Sequence, residues 1–363
     1  MNAPSLTSLA VTIPMGAARW RTSARVRRRA FTLVELMVAI AVLLVLMVAV
    51  VQLTKQLDQV WRASVTKVEM FGNARGAFFS ITQRLRQASL NTYWDYDNPN
   101  APTRYVRQSS LHFVCGPAKN LLSNSPQYSG SAVFFTAPLG YSEDKTDLGR
   151  LSNLINGCGY FVEYSQEPVM PSFLGNSYQR KWRWRLRQFT EPAEASLVQA
   201  PGWTDSTRCD WFRTYFASSA ASAPVTHDVA DNVILLLLVP VLPKGEDDGT
   251  ALAPDYAYDS RQSRAFTTRP PAGSGYSGTT LHQLPPLVRV VMVVIDEKSS
   301  VRLNPPNSPT PVSLIPPTLF ATSAALDGDL LALDKVLREH PMKISYRIFD
   351  STIALRGAKW SRD

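Results

Sequence analysis

Hydrophobic positions come in two regimes along this chain. From Phe31 to Leu53 the only charged side chain is Glu35; a run of that length spans the hydrocarbon of a bilayer as a helix. Beyond Leu53 the chain turns more polar, yet apolar or small residues recur at three and four positions: Leu57, Val60 and Trp61, Ser64, Val68, Phe71, Ala74, Phe78, Ile81, Leu85, Ala88. That period is one stripe on a continuing helix. The pattern predicts a single helix over 31–91, transmembrane over 31–53; sixty residues of helix would measure about 90 Å. Gly72 and Gly76 are candidate bends, and Trp61, Phe78 and Phe79 are expected to pack on a folded head. Asn91 to Pro102, rich in Asn, Asp and Pro, should end the helix.

After residue 91 the period changes to two. Leu111–Cys115, Ala132–Phe135, Tyr160–Tyr164 and Lys181–Phe189 read as strands between turn-forming residues. Val233–Val239 and Leu287–Ile295 are nearly wholly apolar, as strands buried on both faces are. A short helix over 329–339 and a terminal strand over 342–354 close the chain; 243–278 and 301–317 are Gly/Pro-rich loops. The fold class is therefore α+β: a long N-terminal helix, transmembrane in its first half, packed on an antiparallel sheet head over 92–363. Lys181-Trp-Arg-Trp-Arg-Leu-Arg187 alternates strictly, with Trp182, Trp184 and Leu186 expected in the core and the four cations facing water.

Charge sharpens this picture. The net charge is +9, but Arg19, Arg21, Arg25, Arg27, Arg28 and Arg29 all lie within residues 1–30, which hold no acid, so the remainder carries only +3 (9 − 6). The excess is a topology signal: arginines beside a first span hold that end in the cytoplasm. Residues 1–30 then form a cytoplasmic basic leader, and the head lies on the periplasmic side of the inner membrane.

Arg27-Arg28-Arg29-Ala30-Phe31-Thr32-Leu33-Val34-Glu35 resembles the prepilin signal of type IV pilins and type II secretion pseudopilins, a basic leader followed by Phe-Thr-Leu-(Ile/Val)-Glu opening a long apolar helix. The resemblance implies that a prepilin peptidase cuts between Ala30 and Phe31 and methylates the new Phe31 amine, with Ala30 standing where most members have Gly. It implies that Glu35 neutralises a neighbouring subunit's N-terminal amine in an assembled filament, since either charge buried alone would be costly. The partners implied are the peptidase, other pilin-like subunits and the inner membrane. A second, shorter stretch, Leu284-Pro-Pro-Leu-Val-Arg-Val290, resembles a late strand of W-type minor pilins and of the J pseudopilin. The overall layout also resembles large pilin-like proteins encoded in cassettes in Verrucomicrobia. A plain membrane anchor, a twin-arginine export signal on Arg28-Arg29, and a DNA- or surface-binding module on such a stem are the competing readings; the apolar run is too long for a cleaved secretory signal.

Recognisable catalytic chemistry is absent from the sequence. Cys115, Cys158 and Cys209 lack metal or redox spacing; they allow one disulfide of unassigned pairing, with Cys158, between glycines, the candidate for a surface turn. His112, His227, His282 and His340 sit in no ligand motif. The acid clusters at 143–147 and 246–248 lack EF-hand spacing and read as solvated turns. The chain is expected to be a non-enzymatic minor or tip subunit of a pilus or pseudopilus, with no cofactor, metal or nucleic-acid ligand.

Overall fold

The computed structural model describes residues 32–167, 180–200, 202–217, 225–243, 252–267, 277–305 and 308–359. The chain divides into two compact units, Met1–Arg62 and Ala63–Asp363. One helix, α1 (Leu33–Leu85), belongs to both.

In the first unit α1 is exposed from Leu33 to Trp61 and, Glu35 apart, apolar on every side as far as Val51. Leu33–Trp61, with mean hydropathy 3.0, is the one helix among the described residues long and apolar enough to cross a membrane. Leu, Val, Ala, Ile and Met fill it from Leu33 to Val51 with Glu35 the one exception, so that stretch has no polar face along its length.

In the second unit the same helix turns amphipathic. Ala74, Ala77, Ile81 and Leu85 are buried, and Phe78 stacks on Phe349 with ring centroids 5.6 Å apart. Burial is shorter than the stripe: Leu57, Val60, Trp61, Val68 and Phe79 stay exposed, so of the three aromatics expected to pack, only Phe78 does. The helix runs through Gly72 and Gly76 and stops at Leu85 rather than near 91. Its exit is pinned from two sides, by Ser89, which exchanges hydrogen bonds with Thr136, and by the Arg356 amide on the Arg86 carbonyl.

The head is built from β1 (Tyr93–Tyr96), β2 (Tyr105–Gln108), β3 (Phe113–Pro117), α2 (Ala118–Leu121), β4 (Tyr128–Pro138), β5 (Ile155–Gln166), β6 (Trp182–Thr190), α3 (Asp210–Ala217), β7 (Thr226–Asp231), β8 (Val233–Val241), β9 (Tyr258–Asp259), β10 (Ala265–Thr267), β11 (Ser277–Thr279), β12 (Leu287–Ile295), α4 (Glu297–Leu303), α5 (Leu326–Glu339) and β13 (Tyr346–Ala354). Six strands form an antiparallel sheet in the order β7-β6-β5-β4-β3-β9, and three more the order β13-β12-β8. The apolar runs β8 and β12 pair along nearly their whole length and are almost completely buried. The two sheets meet where β8 crosses β4: Ser129 Oγ donates to the Ile234 carbonyl, and a Cβ on Gly130 (φ +67°) would fall 2.2 Å from the Leu236 carbonyl oxygen. Only glycine fits there.

Helix α3 covers a face of the larger sheet. Phe212 lies parallel on Phe134 at 3.9 Å, and Phe161, Phe189, Trp211 and Phe216 close around them. Gly159, paired with Phe134, makes room for that ring, since a Cβ would sit 2.3 Å from it.

Both expected loops contribute to packing. The 243–278 region supplies buried Leu252, Ala253, Tyr256 and Tyr258 and the edge strand β9. In the 301–317 region Leu314 is buried and the Ser308 carbonyl accepts from the Tyr164 hydroxyl at 2.8 Å. Proline fixes φ and so lowers the entropy lost when such a segment is laid down.

Candidate processing and assembly segment

The first described residues form a closed polar unit at the mouth of an apolar helix. Thr32 precedes α1 and Glu35 is its third residue. The Glu35 amide donates to Thr32 Oγ1 at 3.3 Å, while Glu35 Oε2 accepts from the Thr32 amide at 3.0 Å and the Thr32 hydroxyl at 3.1 Å. This is a reciprocal capping box: each side chain satisfies the other residue's backbone N–H, which the first turn of a helix otherwise leaves unpaired. The carboxylate also lies at the positive end of the helix dipole. Thr32 was not singled out from sequence as a functional position, although Thr-x-x-Glu before an apolar run is the signature of such a box. Ala30 and Phe31, and the leader with its arginines, lie outside the described residues.

The arginine row of β6 is placed differently from expectation. Trp184 and Leu186 are buried as anticipated, with Tyr164 packed 5.6 Å from Trp182 and 5.2 Å from Trp184. The arginines do not face water; Arg185 is 2% exposed. Arg183 meets Glu297 at 2.8 Å and Glu167 at 3.2 Å, Arg185 meets Asp231 at 3.1 Å, and Arg187 meets Glu163 at 2.7 Å and Asp228 at 3.2 Å. Desolvated cations need partners, and five carboxylates supply them, Glu163 in β5 and Glu167 just after it, Asp228 and Asp231 in β7, and Glu297 at the start of α4. A row neutralised in this way is a poor match for phosphate.

All three cysteines are free and buried. Cys158 lies inside β5 rather than at a surface turn, and burial pushes its thiol up to about 11. Cys209 is raised to about 11, also by burial.

His112 is fully buried, accepting at Nδ1 from Trp211 Nε1–H (2.9 Å) and facing Asp259 Oδ1 from Nε2 (2.7 Å). Burial lowers its pKa, so the ring stays neutral and Nε2 carries the proton donated to Asp259. Burial opposes ionisation of Asp259, but hydrogen bonds from His112, Arg208 and the Arg261 amide hold its carboxyl down to about 2. This buried network joins β9 to the segment around α3.

His227 is exposed and His340 half-buried. The acids at 143–147 form a turn in which Asp144 Oδ1 accepts from the Thr146 and Asp147 amides; those at 246–248 lie outside the described residues. Among the described residues no cluster of His, Cys, Asp or Glu is arranged to hold a metal.

Residues 25–51 match the family model of the prokaryotic N-terminal methylation motif. No curated protein and no solved structure matches the chain. The motif spans Thr32, Glu35 and most of the apolar run, and gives the chain a type IV pilin-like signal of the kind processed by prepilin peptidase. With an N-terminal helix of membrane-spanning character and antiparallel sheets in a mixed α+β head, the molecule is pilin-like in fold and membrane-anchored.

Proposed function

We propose that the chain is a minor or tip subunit of a type IV pilus-like or type II secretion pseudopilus-like filament, and that it is not an enzyme. It is held in the inner membrane with the head on the periplasmic side until assembly. The observation that carries this reading is the capped opening of α1 within the methylation motif, apolar but for Glu35. A carboxylate at that position serves a bundle of like helices better than it serves lipid.

The size of the head supports a low-copy or terminal position. The second unit runs from Ala63 to Asp363, bulky for a subunit repeated along a thin fibre. The Leu-Pro-x-x-Val-x-Val stretch, Leu284–Val290, which runs into β12, resembles a late strand of W-type minor pilins and of the J pseudopilin, and the layout resembles that of the cassette-encoded pilin-like group of Verrucomicrobia. Nucleic acid has no place in this reading, since the basic ribbon of β6 is neutralised internally.

Processing is tested by N-terminal sequencing of the mature protein. The expected start is N-methylated Phe31; a start downstream of Val51 overturns the reading. Replacing Ala30 with Gly should preserve or improve cleavage.

A further inference from the structure

Immediately after α1 the chain forms a feature that neither membrane anchoring nor filament assembly uses. Strands β1 and β2 make a two-stranded sheet of their own, joined to neither larger sheet. Their register pairs Trp94 with Arg107 and Tyr96 with Tyr105, so these four side chains share one face. Tyr96 and Tyr105 stack at 4.9 Å, and the Arg107 guanidinium lies 5.4 Å from the centre of the Trp94 ring. Trp94 is 55% exposed, Tyr96 45% and Tyr105 63%.

An isolated hairpin is only marginally stable in water. This one is braced at its tip: Asp97 accepts from the Thr103 amide and hydroxyl and from the Arg104 and Asn98 amides. The Thr103 hydrogen bonds, foremost among these contacts, hold the Asp97 carboxyl well below its ordinary range. The aromatic face is therefore held ready before any ligand arrives, which lowers the entropic cost of binding.

Two observations select the occupant. Asp95, Asp97, Arg104 and Arg107 cancel in charge, so the hairpin has no electrostatic claim on nucleic acid. Covered aromatic side chains bury about 150–250 Å² each, so three half-open ones offer on the order of 300 Å², far below the ~800 Å² per partner of a stable protein interface. What fits is a narrow neutral chain whose flat faces carry polarised C–H bonds, matching the negative faces of the rings. We propose that the Trp94–Tyr96–Tyr105 face binds a neutral glycan chain by ring stacking. The proposal stands whether or not the chain assembles into a filament.

The test is calorimetric titration of the full chain, in a detergent without a sugar headgroup, with cellohexaose and with chitohexaose. Saturable binding to at least one is expected, unchanged between about 50 and 500 mM salt because no charge pairing is involved. Trp94→Ala and Tyr105→Ala should each weaken it about tenfold, the value of one lost ring contact, with unchanged thermal melting. Trp94→Phe should restore part of the loss, whereas Tyr93→Ala, on the opposite face, should bind as the parent does. The proposal is overturned if neither sugar saturates by about 10 mM, or if Trp94→Ala binds as the parent does. Tighter, salt-sensitive binding of a thymidine oligonucleotide, or hydrogen-exchange protection of the hairpin by a second copy of the chain, would overturn it as well.

Discussion

The opening of α1 and the strand β6 both place charge among apolar residues, and they resolve it in opposite ways. At Glu35 the solution is local: the carboxylate is held by Thr32, three positions away, and by the helix it begins. At Arg183, Arg185 and Arg187 it is distributed, with partners from β5, β7, the start of α4 and Glu167. The local device leaves the carboxylate near the end of the chain that processing would free. The distributed one consumes its charges, so a strand that looks like a nucleic-acid ribbon is instead a structural weld. Glu35 is held by uncharged groups and keeps its negative charge, whereas the β6 arginines are matched by carboxylates of their own fold and have little left to offer a ligand.

The largest expected effect breaks the local side. Glu35→Leu should still insert and be cleaved, yet vanish from sheared filaments and from crosslinks to other pilin-like subunits. A neighbour's amine left unpaired in an apolar bundle costs several kcal/mol; mutant incorporation at parental levels would refute the pairing. On the distributed side, Arg185→Met should lower the head's unfolding free energy by about 2–3 kcal/mol, under the usual cost of breaking a buried pair because its acids can rehydrate. Urea unfolding measures it, and a change below about 0.5 kcal/mol would mean the weld carries no load.

A smaller effect separates two buried carboxylates of the head. Asp259 titrates at about 2 instead of 3.8, a shift equivalent to ~2 kcal/mol of stability. Its folded pKa is depressed, so that contribution is present above pH 3.8 and is lost as pH falls through about 2. Glu191 is fully buried and accepts from Leu197, Ser196 and Tyr215 without a cation, and burial raises its pKa. Its contribution is present below 4.5 and lost as pH rises through the folded value. Thermal melts from acid to neutral pH should show Asp259→Asn losing stability at neutral pH, and Glu191→Gln losing the decline on the rising side. Identical profiles for parent and both variants would contradict the assignment.

The smallest effect returns to the local box. Thr32→Ala removes a cap worth about 1 kcal/mol, so the first turn should fray, read as faster amide exchange at Leu33 to Leu36 in micelles, with the head's melting unchanged.

Much of the architecture was legible in the residues. The apolar run, the basic leader, the helical period into the eighties and the buried strands 233–241 and 287–295 follow from local periodicity, which needs no partner to be read. The helix end was not legible, because Leu85 is where Ser89 meets Thr136 and Arg86 meets Arg356, contacts 47 and more residues away. The hairpin β1–β2 was hidden by its turn: Asn98-Pro-Asn signalled a break, though Tyr93–Tyr96 and Tyr105–Gln108 carry the aromatic and β-branched residues of strands. Cys158 between two glycines looked like a turn; the glycines are there for Phe134 and Trp211 to pack against the strand.

By itself the sequence determined that a capped, apolar, methylation-motif helix leads an α+β head, because capping, hydropathy and helical period act within a few residues of one another. Only the tertiary structure decided that the β6 cations are spent, that the cysteines are enclosed thiols and that three aromatics beyond the helix stand in the open. Burial and pairing depend on which distant strands arrive, and composition carries no record of that arrival.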